Sequence, residues 1–364
     1  WQLPVGQQQR VEIVKALYRQ SDLLIMDEPT AVLTPGEIGD LFRILRRFAE
    51  EGRSVIFISH KLNEVMKVAD RITVLRGGRV VNTVARVATT PTELARMMVG
   101  RPVMMTFELS ESKPGEVVLE VDGLHALNDR GLPALRGVSL QVRRGEILGI
   151  AGVDGNGQLE LAQVINGLRP PTAGAVRLLG KDITGAHPER VIALNVAYIP
   201  PDRRQQGLIA QFTVAENLVL KTYRQPPVSQ RGFLNFGAVQ TLAGQLLRDF
   251  DIRARDANTL GEHLSGGNQQ KVVLARELHR APDLLVAMQA TRGLDVGATE
   301  YVIRAIMEQR QRQTAILYIS TELEELLSIS DRIAVLYEGE CMGIIPRNEV
   351  DLHELGLMMT GALR

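Results

Sequence analysis

Leu3-Pro4-Val5-Gly6-Gln7-Gln8-Gln9-Arg10 returns as Leu264-Ser265-Gly266-Gly267-Asn268-Gln269-Gln270-Lys271, and the sequence beyond it returns as well: residues 3–78 recur without a gap at 264–339, an offset of 261 positions. Asp22-Leu23-Leu24 is repeated as Asp283-Leu284-Leu285, and Asp70-Arg71-Ile72 as Asp331-Arg332-Ile333. The period is that of a whole domain, which excludes a solenoid of units of ~20–50 residues. The second copy is expected over residues 117–364. The first enters the unit late, since a counterpart of Gly152 would fall well before residue 1, and the chain does not open with Met. It therefore reads as a fragment whose first copy lacks its N-terminal part.

Composition narrows the function classes. Lys and Arg together number 42, as do Asp and Glu, and 45% of residues are hydrophobic, which suits roughly two domains with substantial cores. This balance offers no general basic field for nucleic acid. The single cysteine, Cys341, excludes an intrachain disulfide and fits a reducing compartment. No apolar run approaches the ~18 residues that a membrane-spanning helix needs, so a role at a membrane would run through a partner.

Short β-rich runs at residues 23–26, 55–59 and 72–75 alternate with helical patterns at 35–51 and 63–68. This alternation predicts an α/β fold with a parallel sheet, whose ligands sit at the carboxyl ends of the strands. Residues 101–116, with Pro102, Pro114 and a Ser/Glu/Lys cluster, read as the linker between a first domain, 1–100, and a second, 117–364. The polar stretch 221–235 reads as an insertion or a surface loop.

Two strand ends carry chemistry. Leu23-Leu24-Ile25-Met26 runs into Asp27-Glu28-Pro29-Thr30, where the first carboxylate can hold Mg2+ and the second can orient or deprotonate a water. The run 55–59 ends in His60, which could meet a phosphate and that water from the far side. Each signal alone is more often a helix cap, a solvated turn or a structural histidine; their joint order and spacing favour the catalytic reading. In the second copy, the strand at 145–150 leads into Gly152-Val153-Asp154-Gly155-Asn156-Gly157-Gln158-Leu159 and then a helix, the outline of a phosphate loop. Such a loop needs Lys followed by Ser or Thr. Here the positions hold Gln158 and Leu159, which removes a charge-assisted bond worth ~1.5–3 kcal/mol and a Mg2+ ligand.

With these residues in view, the chain resembles the ATP-binding subunits of ABC transporters over essentially its whole length. Leu264-Ser265-Gly266-Gly267-Asn268-Gln269-Gln270-Lys271 is similar to the family's signature, with Leu3-Pro4-Val5-Gly6-Gln7-Gln8-Gln9-Arg10 as its first-copy counterpart. The resemblance implies two tandem ABC-type P-loop NTPase domains, the first lacking its N-terminal part, that bind ATP and Mg2+. It implies Asp27 as the metal residue and Glu28 and His60 as the catalytic pair. It also implies nucleotide contacts from Ser265, Gly266, Gly267 and Gln269, and from Gly152, Asp154, Gly155, Asn156, Gly157 and Gln158. Taken without the resemblance, Ser265-Gly266-Gly267 is equally a helix cap.

Members of the family pair their nucleotide domains head to tail, the signature of one closing over the phosphate loop of the other; here the two domains are expected to form a pseudo-dimer. At the 261 offset, Asp27, Glu28 and His60 become Met288, Gln289 and Thr321. Pro201 stands near the expected Q-loop glutamine, no aromatic precedes the second loop to stack adenine, and Pro4 replaces the signature Ser in the first copy. All these losses fall on one composite site, so one competent ATPase site and one degenerate site are expected. The fused domains, the Asn268-Gln269-Gln270 signature and the stretch Thr291-Arg292-Gly293-Leu294-Asp295 resemble the simple-sugar and nucleoside importer subfamily. That resemblance implies a permease pair as direct partner, a solute-binding lipoprotein as an indirect one, no nucleic acid, and a peripheral place on the cytoplasmic face of the bacterial plasma membrane. The permease contact is expected from residues 199–211 and 221–235. The alternative is a non-transport twin-domain ABC protein acting on ribosomes or nucleic acid, which the short linker and neutral charge disfavour.

Overall fold

A computed structural model describes residues 5–18, 21–30, 33, 35–102 and 114–363. Leu3 and Pro4 of the first signature and residues 103–113 of the expected linker lie outside the described residues. The chain divides into two compact units, Trp1–Met105 with Asp295–Glu300, and Thr106–Leu294 with Tyr301–Arg364.

In the second unit a six-stranded sheet runs in the order Val196–Ile199, Leu284–Met288, Ala315–Ile319, Ile147–Ala151, Arg332–Tyr337, Glu340–Pro346. All neighbours are parallel except the last pair. Leu284–Met288, Ala315–Ile319 and Ile147–Ala151 are apolar and buried at every position, as strands covered on both faces must be. A separate antiparallel sheet, in the order Pro133–Arg143, Val117–Leu127, Ala173–Leu178, Lys181–Asp182, largely alternates buried and exposed residues and packs one face inward. Leu124, Val138, Leu148, Ile150, Leu161, Val286 and Leu317 join the two sheets and the helix Gln158–Ile165 in one core. The stretch 221–235 contains a short hairpin, Ser229–Gln230 with Phe233–Leu234, that leaves Phe233 and the nearby Phe236 exposed.

The first unit repeats the second element by element. Helix Val5–Tyr18 stands at the offset from Gly266–Leu278, strand Leu23–Asp27 from Leu284–Met288, helix Pro35–Glu50 from Val296–Gln311, and strand Ser54–Ile58 from Ala315–Ile319. Helix Leu62–Val68 and strands Arg71–Arg76 and Arg79–Ala85 obey the same rule. Even the bulge between Val74 and Leu75 recurs between Val335 and Leu336.

One difference is topological. In the second unit Ile147–Ala151 is hydrogen-bonded between Ala315–Ile319 and Arg332–Tyr337. In the first unit, among the described residues, no strand joins Ser54–Ile58 to Arg71–Arg76; each sits in its own two-stranded sheet. The apolar residues register the gap. Leu23, Ile25, Ile56 and Ile58 are 47–62% exposed, whereas their counterparts Leu284, Val286, Leu317 and Ile319 are at most 2% exposed.

Candidate functional site

Each parallel strand delivers its last residue to the carboxyl edge of its sheet, and in the first unit this brings the expected residues together. Leu23–Asp27 ends on exposed Asp27. Glu28 then takes a left-handed backbone, φ 44°, while its N–H donates to the Ile58 carbonyl (2.9 Å). The neighbouring strand Ser54–Ile58 leads to His60, whose Nδ1 lies 2.6 Å from Glu28 Oε1. A positive φ in a β-adjacent non-glycine residue is uncommon. Here it turns the chain sharply at the strand end and directs the Glu28 carboxylate toward the next strand's loop.

Beneath this pair lies a contact that the sequence alone does not single out. Thr30 Oγ1 donates to Glu64 Oε2 at 2.5 Å, and both side chains are buried. Lys61 Nζ stands 3.8 Å from Glu64 Oε1, a charge that compensates the buried carboxylate. The Lys61 N–H donates to Ser59 Oγ. Thr30, Ser59 and Glu64 all survive the 261 offset, as Thr291, Ser320 and Glu325. That persistence was the available signal for them.

The second unit keeps the backbone and changes the chemistry. Gln289 has φ 47° and donates its N–H to the Ile319 carbonyl (2.7 Å), matching Glu28. Glu322 N–H donates to Ser320 Oγ (3.1 Å), as Lys61 does to Ser59. Yet Met288 has no oxygen ligand to offer a cation, and exposed Thr321 replaces the imidazole. Ser320 Oγ donates to Glu325 Oε2 (2.7 Å), and burial pushes the Glu325 carboxyl above its ordinary range. Where Glu64 has Lys61 beside it, Glu325 has Glu322 at the corresponding position.

Gly152, Asp154, Gly155, Asn156, Gly157 and Gln158 form a turn between strand Ile147–Ala151 and helix Gln158–Ile165. Gly155 (φ 94°) and Gly157 (φ 100°) occupy backbone that side-chain-bearing residues rarely adopt, and a Cβ at Gly157 would meet the Ala134 carbonyl at 2.4 Å. The signature residues behave differently from one another. Ser265 is the N-cap of helix Gly266–Leu278 but makes no side-chain cap bond; its Oγ instead accepts from Asn268 Nδ2 (3.0 Å). Gln269, expected among the nucleotide contacts, is buried with its Nε2 donating to the Gly261 carbonyl (3.0 Å). Arg203, from the turn Arg203–Gly207, donates from Nη1 to the Arg292 carbonyl (2.8 Å), and a Cβ at Gly266 would meet its guanidinium at 2.7 Å. It ties the signature helix to the strand-end loop, a contact that no local pattern in the sequence announces.

A cation held at the first strand end would draw one hard oxygen from Asp27, which fits a metal that is ordinarily bound by one or two carboxylates together with substrate phosphates. The second strand end, with Met288 and Gln289, does not fit such a metal.

Comparison with known proteins places the chain among similar sequences. The profile of the ABC transporter family matches residues 2–31 and 135–291. A nucleoside import ATP-binding protein of Lactococcus lactis is 47% identical over 359 residues, covering 99% of this chain and 71% of that protein. A glucose import ATP-binding protein of Haloferax volcanii is 49% identical over 99% of this chain and 66% of its own length. A guanosine import ATP-binding protein of Bacillus subtilis is 46% identical over 99% and 71%. This chain thus spans about two thirds of the length of these relatives. Among solved structures, a dimeric ATP-binding cassette in a post-hydrolysis state bound to ADP and phosphate superposes with a TM-score of 0.55 at 22% identity, over 63% of this chain and 98% of that one. An ATP-binding subunit of an ABC transporter gives 0.55 at 24% identity, over 67% and 99%. At this identity the two likenesses speak for the fold.

Proposed function

The chain belongs to the ABC transporter family, and we propose that it is an ATP-hydrolysing subunit of an importer for a simple sugar or nucleoside. The observation that carries this reading is the strand-end constellation of the first unit: Asp27 exposed at the sheet edge, and Glu28 held 2.6 Å from His60.

In this reading Glu28 orients the attacking water and accepts its proton, and His60 holds the carboxylate in place. Asp27 would hold Mg2+, which when bound supplies charge neutralisation on the phosphates. Ser265, Gly266 and Gly267 would cover the nucleotide from the other cassette. The two units are tandem cassettes, supported by the element-by-element recurrence at the 261 offset. The open position between Ser54–Ile58 and Arg71–Arg76, and the exposed Leu23, Ile25, Ile56 and Ile58, support a strand, phosphate loop and helix that complete the first cassette from residues preceding this chain.

Among the described residues no helix is long and apolar enough to cross a membrane. A permease pair would then hold the protein at the cytoplasmic face of the plasma membrane, with the solute-binding lipoprotein reached only through the permease. The contact surface we assign is the segment 199–211 and the stretch 221–235, whose hairpin exposes Phe233. The solute touches other subunits.

The test uses the protein with a complete first cassette, assembled with its permease. Glu28→Gln keeps the shape of the side chain but removes the base, and is expected to lower phosphate release by about 10²–10⁴-fold while ATP binding persists. Wild-type turnover in this variant overturns the assignment of the site, and purification of the protein with ribosomes in place of membranes overturns the importer.

A further inference from the structure

In the phosphate loop of the second unit, one backbone N–H, that of Asn156, is already bonded to a side chain of the loop itself and, at 3.3 Å, to the Val153 carbonyl. In such a loop the backbone N–H groups converge on the space an anion would take. Here the Asn156 N–H donates to Gln158 Oε1 at 3.0 Å, and Gln158 Nε2 donates back to the Val153 carbonyl at 3.0 Å. One carboxamide therefore bridges the two sides of the turn. Gln158 is only 5% exposed, and a Cβ at Gly152 would meet Nε2 at 2.5 Å, so the glycine is what lets the amide lie there.

The identity of residue 158 matters chemically. A lysine carries donors and no acceptor, so it leaves the loop's N–H groups to an acceptor brought by a ligand. A glutamine carries both, and its oxygen supplies the acceptor internally. The mouth of the loop is held in the same way. Asp154 Oδ1 accepts from Gln289 Nε2 (3.2 Å), and Gln289 Oε1 accepts from Arg292 Nη1 (2.9 Å), which leaves a carboxylate where a phosphate would approach. The far side is pinned as well, since Asn156 Oδ1 accepts from the Glu338 N–H (2.9 Å).

We propose that Gln158 determines what this loop accepts: its carboxamide oxygen stands in for the anion, and the second unit excludes the phosphates of a nucleotide. A protein built on this chain then carries one nucleotide per molecule, and its second loop keeps one shape throughout the ATP cycle. The inference rests on residues 152–158 being a phosphate loop, and on no part of the hydrolytic chemistry of the first unit.

The experiment is equilibrium dialysis of labelled ATP, with Mg2+, against the 364-residue chain and its Gln158→Ala and Gln158→Lys variants. The wild-type chain is expected to show no saturable binding. Gln158→Ala removes the carboxamide oxygen and leaves the Asn156 N–H only its longer bond to the Val153 carbonyl (3.3 Å), which should tighten binding at least about tenfold, and Gln158→Lys further, as one or two regained hydrogen bonds imply. Saturable wild-type binding with a Kd on the order of 10 μM, or a folded Gln158→Ala that binds no better than wild type, overturns the proposal. Should the variants fail to fold, hydrogen exchange of the Asn156 amide in the unmodified chain decides. Exchange unchanged by millimolar ATP is expected; an amide whose exchange slows in ATP overturns it. Neither readout involves hydrolysis, so a failure here and a failure of the ATPase assignment are told apart.

Discussion

Asp27-Glu28 with His60, and Met288-Gln289 with Thr321, occupy the same backbone in the two units: φ 44° and 47° at the second residue, and the same N–H bond to the neighbouring strand, 2.9 and 2.7 Å. The left-handed turn after the strand therefore does not depend on whether glutamate or glutamine occupies it. The layer beneath keeps its residue types: Thr30 Oγ1 donates to Glu64 Oε2 in the first unit, whereas Glu325 accepts from Ser320 Oγ in the second. In the proposed reading the hydrolytic residues are a thin layer of side chains on a backbone frame that both units share. The second unit shows that layer replaced by a thioether, an amide and a hydroxyl, in Met288, Gln289 and Thr321.

The sharpest way to break this comparison is to delete the imidazole. In the protein with a complete first cassette, His60→Ala is expected to cost about 10²-fold in phosphate release, measured at saturating ATP, since a general base works only when positioned. Installing histidine at Thr321 in the second unit should recover none of it.

A next, smaller effect concerns the frame. Gly157→Ala forces a Cβ to within 2.4 Å of the Ala134 carbonyl at φ 100°, whereas Gly155→Ala, at φ 94°, meets nothing within 4 Å. Denaturant unfolding of the second unit should show a loss of about 3 kcal/mol for the first and about 1 kcal/mol for the second. Equal losses would mean that the close approach to Ala134 does not shape the loop.

A pH titration probes the buried carboxylates. Burial raises the Glu325 carboxyl above its ordinary 4.5, so folding favours its protonated form. Its contribution is fully present below that ordinary value and is lost as pH rises through the raised one. Glu325→Gln should therefore remove a loss of stability that sets in above pH 4.5 and leave acid stability unchanged, as monitored by thermal melts across pH.

The smallest expected effect is the most pointed. Gln289→Glu restores the carboxylate at the equivalent of Glu28, yet phosphate release should stay within about twofold of wild type, because Met288 still offers no metal ligand and Gln158 still fills the loop. A large gain would end the one-site reading.

Much of the molecule was legible in the chain because it is encoded locally. Apolar runs that end in polar residues, helical periodicity, and a repeat at a fixed offset each depend on neighbours in sequence, and they located the α/β frame, Asp27, Glu28, His60 and the loop at 152–158. The losses at Met288, Gln289 and Thr321 were legible for the same reason: a repeat supplies its own reference. Tertiary structure alone decided how these residues meet. The 2.6 Å pairing of Glu28 with His60 spans two strands, and the link from Gln289 to Asp154 joins residues 135 apart. Whether Gln269 faces a ligand or the interior depends on Gly261 and the packing around it, and whether Gln158 reaches outward or folds into its own loop depends on Gly152 and the carbonyl of Val153. The order of strands in a parallel sheet is non-local by construction, since every neighbour is reached by a crossover. Thus the open position between Ser54–Ile58 and Arg71–Arg76 became visible only when the second unit showed Ile147–Ala151 filling the same place.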